Sequence, residues 1–177
     1  MPYAYSWYLD ETTSEKWDGL VLGDYEAVMP LPYNRKLFGF KQIYQPFFSQ
    51  QLGVFSKHPT TLSKLNAFIE AIPSSYLRVN IQLNTYNQIT EVNGFEITNR
   101  PTYTISLDRP YEQIKKAYSK NLRRNIKKGI QNQLEIKEVS TTDFLAFYAA
   151  NPVEKGEAYN SKLLQILNSL LLSLIHI

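Results

Sequence analysis

A chain of 177 residues with net charge +3, 44% hydrophobic and 20% charged, suits one globular domain, or one small domain plus part of another, with room for a core. It has no cysteine, which excludes disulfides, thiolate metal sites and cysteine nucleophiles, and its two histidines, His58 and His176, leave any histidine triad to lean on an exposed His58 before Pro59. No signal-peptide pattern occupies residues 1–20, so a cytoplasmic location is expected, and the unusual feature is 13 Tyr with 9 Phe, whose hydroxyls want partners at sheet edges or in a cleft.

Met1–Leu9 is short and aromatic and reads as the end of an element that begins earlier. Leu20–Leu22 and Ala27–Leu31 flank Gly23-Asp24, a tight hairpin signal. A strand is predicted over Phe38–Gln45, followed by an irregular aromatic stretch to Phe55. Thr60 or Thr61 can cap a helix whose stripe is Leu62, Leu65, Phe68, Ile69 and Ile72, ended by Pro73. Tyr76–Asn84 alternates Leu77, Val79, Ile81 and Leu83 with polar residues, the pattern of a half-buried strand. Gly94–Arg100 reads as a short strand.

Tyr103, Ile105 and Leu107 then alternate with Thr104, Ser106 and Asp108, which predicts another strand. Pro110 suits the first turn of a helix and Asp108 is placed to cap it. Ile114, Tyr118, Leu122, Ile126 and Ile130 form one apolar stripe, predicting a single basic helix over 111–130, roughly 30 Å long. Between Asp108 and Lys128 eight Lys/Arg stand against two acids, +6, so the remainder of the chain carries −3. Such a concentrated field attracts phosphate or carboxylate groups, or it is a solvated helix face; it is dense enough to raise nucleic acid as a partner. Leu134–Val139 reads as a strand, and Thr141 or Thr142 with Asp143 caps a helix through Tyr148. Asn151–Glu157 reads as a polar loop. Leu163–Leu172 is helical in composition but too short and interrupted to span a membrane. The order of elements predicts an α+β, or mixed α/β, fold.

Two stretches carry possible chemistry. In Tyr44–Ser56, YQPFFSQQLGVFS, Gln45, Gln50 and Gln51 beside Tyr44 suit an amide-bearing or peptide-like ligand, or else satisfy the backbone of an irregular strand. Lys120, Arg123, Arg124 and Lys127 are the candidates for holding an anion. Glu26, Glu70 and Tyr44 qualify as a general base by residue type alone, so the catalytic residue stays unknown.

Together, YSWYLD (Tyr5–Asp10), GDYEAVMPLP (Gly23–Pro32), YQPFFSQQLGVFS and YSKNLRRNIKKG (Tyr118–Gly129) resemble Bacteroidetes-type GNAT acyltransferases, relatives of the Fem-type peptidoglycan aminoacyltransferases. The resemblance covers about Tyr5 to Val139. It implies a first GNAT-like domain over 1–101 and the start of a second over 102–171. It further implies transfer of an acyl or aminoacyl group from acyl-CoA or aminoacyl-tRNA, without a metal, to an amine acceptor such as a peptidoglycan precursor. The GNAT pyrophosphate loop, R/Q-x-x-G-x-G/A, is matched by Gln50 to Val54, but Phe55 stands where a small residue belongs and would crowd a phosphate. The loop of the second domain would lie beyond the chain. Leu172–Ile177 reads as translated adaptor DNA from shotgun sequencing, so the expectation is a fragment truncated at both ends, with an incomplete active site. The rival expectation is a non-catalytic nucleic-acid-binding module using the basic helix 111–130.

Overall fold

The computed structural model describes residues 2–151 and 157–175 and has the expected α+β architecture. The chain divides into two compact units, one of residues 1–98 with 141–177, the other of residues 99–140. The sequence reading places its boundary at 101/102 and assigns 141–171 to the second part; in the structure that segment belongs to the first unit.

In the first unit, helix α1 (Ser6–Thr13) leads into the predicted hairpin of strands β1 (Trp17–Leu22) and β2 (Ala27–Arg35). Their antiparallel register runs from Trp17 opposite Pro32 to Leu22 opposite Ala27. The other edge of β2 is shared by two short strands. β3 (Lys41–Ile43) pairs antiparallel with Tyr33–Arg35, and β4 (Phe55–Ser56) pairs with Ala27–Val28. The gap between them has a cause in β2 itself. Tyr33 donates its N–H to Lys16 O on the β1 side, so alternate residues Pro30 and Pro32 fall where N–H groups would face the other edge. Proline has none to offer, and there the neighbouring chain leaves the sheet. The excursion, residues 44–54, is the glutamine-rich stretch. Helix α2 (Leu62–Glu70) then returns the chain to β5 (Tyr76–Val79), which pairs parallel with β3.

Thr61 caps α2, its hydroxyl accepting from Lys64 N at 3.2 Å. Leu65 and Phe68 of α2 are buried with Ala27, Met29, Leu31, Ile43, Val54 and Tyr76 in the main core, while Leu62 at the helix start is exposed. A second cluster joins Tyr8 of α1 to Ile166 and Leu170 of α6 (Glu157–Ile175), with Tyr3, Trp7 and Phe47 against it. Between them in sequence lies α5 (Thr141–Ala150). Most of the predicted polar loop 151–157, and His176, lie outside the described residues.

Three strands depart from expectation in this unit. The one predicted over 38–45 shrinks to β3, because Leu37–Gly39 form a 3-10 turn with Phe38 at φ 66°. The one predicted over 76–84 ends at Val79. A register shift opposite Lys41/Gln42 turns Leu77 outward, 65% exposed, so the alternation is broken at its first apolar residue. At 94–100 only a single bridge, Val92 to Phe95, forms.

Across β1, β3 and β5, Tyr76 donates its hydroxyl to Asp18, and Lys41 Nζ lies 3.3 Å from the same carboxylate and 4.2 Å from the Tyr33 ring centroid. Burial, and then the bond to Asp18, push the Tyr76 phenol above its ordinary value of 10.0. The folded state therefore holds this proton more tightly than the unfolded chain. Its stabilisation is intact below about pH 10 and is lost as pH rises beyond that. Urea midpoints between pH 8 and 11 check this: the wild-type midpoint should fall more steeply above pH 10 than that of Tyr76→Phe.

In the unit 99–140 the predicted strands at 103–108 and 134–139 form no ladder. Tyr103 is 92% exposed and Ile136 fully so, since alternation fits a sheet face but the unit supplies no neighbour to pair with. The predicted single helix is two: α3 (Tyr111–Lys116) and α4 (Lys120–Gln131). Ser119 makes the break. Its ψ of 156° is extended and its hydroxyl accepts from Leu122 N at 3.2 Å, which is an N-cap in mid-stretch. Pro110, not Asp108, holds the N-cap position of α3, and the Asp108 carboxylate accepts from Ser106 instead.

Candidate functional site

The candidate residues fall into two groups, one in each unit. In the first unit, the excursion 44–54 is pinned by side chains. Gln45 donates through Nε2 to Ser49 O at 2.7 Å and accepts from Gln82 N at 2.9 Å, so its amide is consumed in holding the loop. Tyr8 donates to Phe48 O at 2.7 Å. Tyr44 is half-buried, and burial pushes its phenol up, so at neutral pH it is a donor and not a general base. Gln50 is exposed and Gln51 half-buried. Of the two roles the sequence leaves open for these amides, Gln45 takes that of satisfying the backbone of the loop.

The loop's second anchor is a pair of buried asparagines, Asn84 and Asn87, 4% and 6% exposed. Asn87 accepts from Val54 N at 2.6 Å and donates to Val54 O at 2.9 Å. Asn84 Nδ2 donates to Leu52 O at 2.9 Å and Val54 O at 3.0 Å. A phosphate cradle over 50–55 would need free backbone N–H groups. Leu52 N is given to Gln82 O and Val54 N to Asn87, so two of these donors are already engaged. Phe55 enters β4 and no helix follows until Leu62. Neither asparagine stands out in the sequence: Asn84 falls among the polar positions of the predicted strand, and no pattern marks Asn87.

Glu26 is exposed in the β1–β2 turn, and its carbonyl, not its carboxylate, is what the neighbouring chain uses, accepting from Lys57 N at 3.0 Å. Glu70 is exposed at the end of α2, where it lines a cleft of about 580 Å³ with Ile69, Ile72, Tyr76, Glu91 and Phe95. His58 is exposed, as expected.

In the second unit, α4 contains Lys120, Arg123, Arg124, Lys127 and Lys128 and no acidic residue. Arg123 is partly spent on structure: Nε donates to Tyr118 O at 3.0 Å and Nη2 to Lys116 O at 2.8 Å, tying the carbonyls at the end of α3 to the start of α4. Arg124 bonds Asn121 Oδ1 at 2.8 Å. The ion pairs of this unit are Lys115–Glu112 at 3.8 Å and Lys137–Glu135 at 2.7 Å, and neither lies on α4. Among the described residues none of the five α4 cations has a carboxylate partner, and Arg123 alone is tied to backbone carbonyls. Lys128, not among the predicted anion contacts, is as exposed as they are, whereas Arg123 is held by the carbonyls of Lys116 and Tyr118.

Comparison with known proteins finds no matching family model, no matching curated protein and no matching solved structure.

Proposed function

We propose that this chain binds the phosphate-bearing donor of an acyl or aminoacyl transfer, as part of a GNAT-like transferase. The observation that carries the reading is α4: five cations on twelve residues, none with a carboxylate partner among the described residues, and only Arg123 tied to backbone carbonyls. Lys120, Arg124, Lys127 and Lys128 receive the phosphates of acyl-CoA or of aminoacyl-tRNA. The amine acceptor, of the kind a peptidoglycan precursor presents, meets Gln50 and Gln51. The Fem-like resemblance supplies the reaction class. The sheet supports it in outline: an antiparallel hairpin, a third strand, a crossover helix and a parallel strand. The engagement of Leu52 N and Val54 N in the loop of the first unit supports phosphate binding at α4 rather than there.

The test is binding of CoA and of tRNA to the full chain, with the triple variant Lys120→Gln, Lys127→Gln, Lys128→Gln. Three exposed ion pairs at about 0.5–1 kcal/mol each predict a roughly 10- to 100-fold loss. Failure of both ligands to bind at low salt, or equal binding by the triple variant, overturns the reading.

The same unpaired cations favour a second reading, a nucleic-acid-binding module without chemistry. It predicts equal affinity for tRNA, other RNA and duplex DNA, with a log–log salt slope of roughly −3 to −4 for four contacts on duplex. Each Lys→Gln should then make the slope shallower by about 1. A response confined to tRNA returns the argument to aminoacyl transfer.

A further inference from the structure

The cations are only half of what α4 exposes. At about 100° per residue, Leu122, Ile126 and Ile130 fall within an arc of about 80°, and the five cations fill the next arc of roughly 140°. The ridge is not covered: Leu122 is 41% exposed, Ile126 40% and Ile130 73%. Beyond α4 the apolar surface continues through Leu134, 75% exposed, and Ile136. The unit 99–140 holds ten Lys/Arg against four Asp/Glu, a net +6. A donor phosphate or a nucleic acid would neutralise these cations and leave the ridge in water.

We infer that the unit docks on an anionic lipid surface, with α4 lying in the plane of the interface. Leu122, Ile126 and Ile130 enter the boundary between headgroups and acyl chains. Lys127, the lysine nearest the ridge in angle, reaches anionic headgroups along its aliphatic stem, and Lys120, Arg124 and Lys128 add to the field. A surface of this kind satisfies both halves of the helix at once. A second copy does not, because it would bring +6 against +6. A transmembrane role is excluded for α4 by its twelve residues, and no described helix is long and apolar enough to cross a membrane. The inference shares its cations with the donor reading but stands without it, since it rests on the apolar ridge that a donor leaves unused.

The experiment is flotation of the full chain with vesicles of phosphatidylglycerol and phosphatidylcholine in equal parts, against vesicles of phosphatidylcholine alone. Binding to the first and not the second is expected. The double variant Leu122→Ser, Ile126→Ser should weaken it about tenfold or more while leaving CoA and tRNA binding as they were. In a separate variant, Ile130→Trp, the indole emission should shift to the blue on anionic vesicles, a readout that stands even where the double variant loses its helix. No flotation with anionic vesicles, equal flotation with neutral ones, an unshifted indole, or dimerisation that hides the ridge in the absence of lipid each overturn the inference. Unchanged flotation by a helical double variant does so as well, because it reduces binding to charge alone.

Discussion

Gly53→Ala should destabilise the first unit by about 3–5 kcal/mol, far more than a glycine-to-alanine change on a surface. Gly53 sits at φ +88°, a conformation that costs an L-residue roughly 1–2 kcal/mol. A Cβ there would also overlap Asn87 Oδ1 and come within 2.8 Å of Leu83 Cδ2. Asn87 cannot step aside without giving up its two bonds to Val54, at 2.6 and 2.9 Å, and Val54 is 1% exposed. Gly94 is the control. Its φ is +79° with nothing within 4 Å of an added Cβ, so Gly94→Ala should cost only the backbone strain, about 1 kcal/mol. Urea midpoints of the two variants separate strain from collision, and equal midpoints would mean that the close approach is not there. Adding Asn87→Ala to Gly53→Ala should be less than additive by about 1 kcal/mol or more, because the second change removes the atom the first one strikes.

That glycine shows how a readable pattern can carry an unreadable reason. Gln50-x-x-Gly53 looks like a phosphate loop, and in the structure the glycine makes room for Asn87, thirty-four positions further along the chain. Spacing along a chain reports a local conformation; it does not report which distant side chain comes to rest there. Short-range signals served well. Gly23-Asp24 placed the β1–β2 turn, and Thr61 with Leu65 and Phe68 placed α2, because a turn, a cap and a stripe are complete within a dozen residues. Alternation at 103–107 and 134–139 served badly, because it describes a face that fits a sheet and says nothing of whether a neighbouring strand exists. Two further signals stood in the sequence unread. Pro30 and Pro32 within an apolar strand mark the edge where pairing must lapse, and that lapse releases the whole 44–54 excursion. Ser119 in the basic stretch is a helix N-cap, and it divides the single expected helix into α3 and α4. Among the candidate residues, the exposure of the α4 cations was legible because charged side chains without carboxylate partners stay in solvent, while the local bonds of Arg123 and Arg124 were not. Gln45 was not, since an amide that binds a ligand and one that ties a loop look the same in sequence.

Asn87→Asp is the sharper test of the clamp, because it changes almost no volume and reverses one hydrogen bond. Asn87 Nδ2 donates to Val54 O at 2.9 Å while Oδ1 accepts from Val54 N at 2.6 Å. An ionised aspartate keeps the second bond and sets an oxygen against the Val54 carbonyl, in a place 6% exposed. At pH 7 the cost should be about 3–5 kcal/mol, the range for an uncompensated buried charge. Burial and the opposing carbonyl both disfavour the ionised form, so the folded-state pKa of the new carboxyl lies above its unfolded value of about 3.9. The penalty is therefore fully present above the folded pKa and is withdrawn as pH falls toward the unfolded one, where a protonated carboxyl can donate to Val54 O again. The stability gap between Asn87→Asp and wild type, measured by urea unfolding, should narrow as pH falls from 7 to 4. A gap that stays constant would mean that the group is hydrated and the clamp open. Asn87→Ala separates the structural from the functional consequence. It leaves Val54 N–H unpaired at a cost of about 1–3 kcal/mol, yet Val54 O keeps its bond from Asn84 at 3.0 Å. If the freed N–H brought CoA binding to this loop, the division of labour argued for α4 would be wrong. With phosphate contacts confined to α4, Asn87→Ala should lose stability and leave CoA and tRNA affinity unchanged.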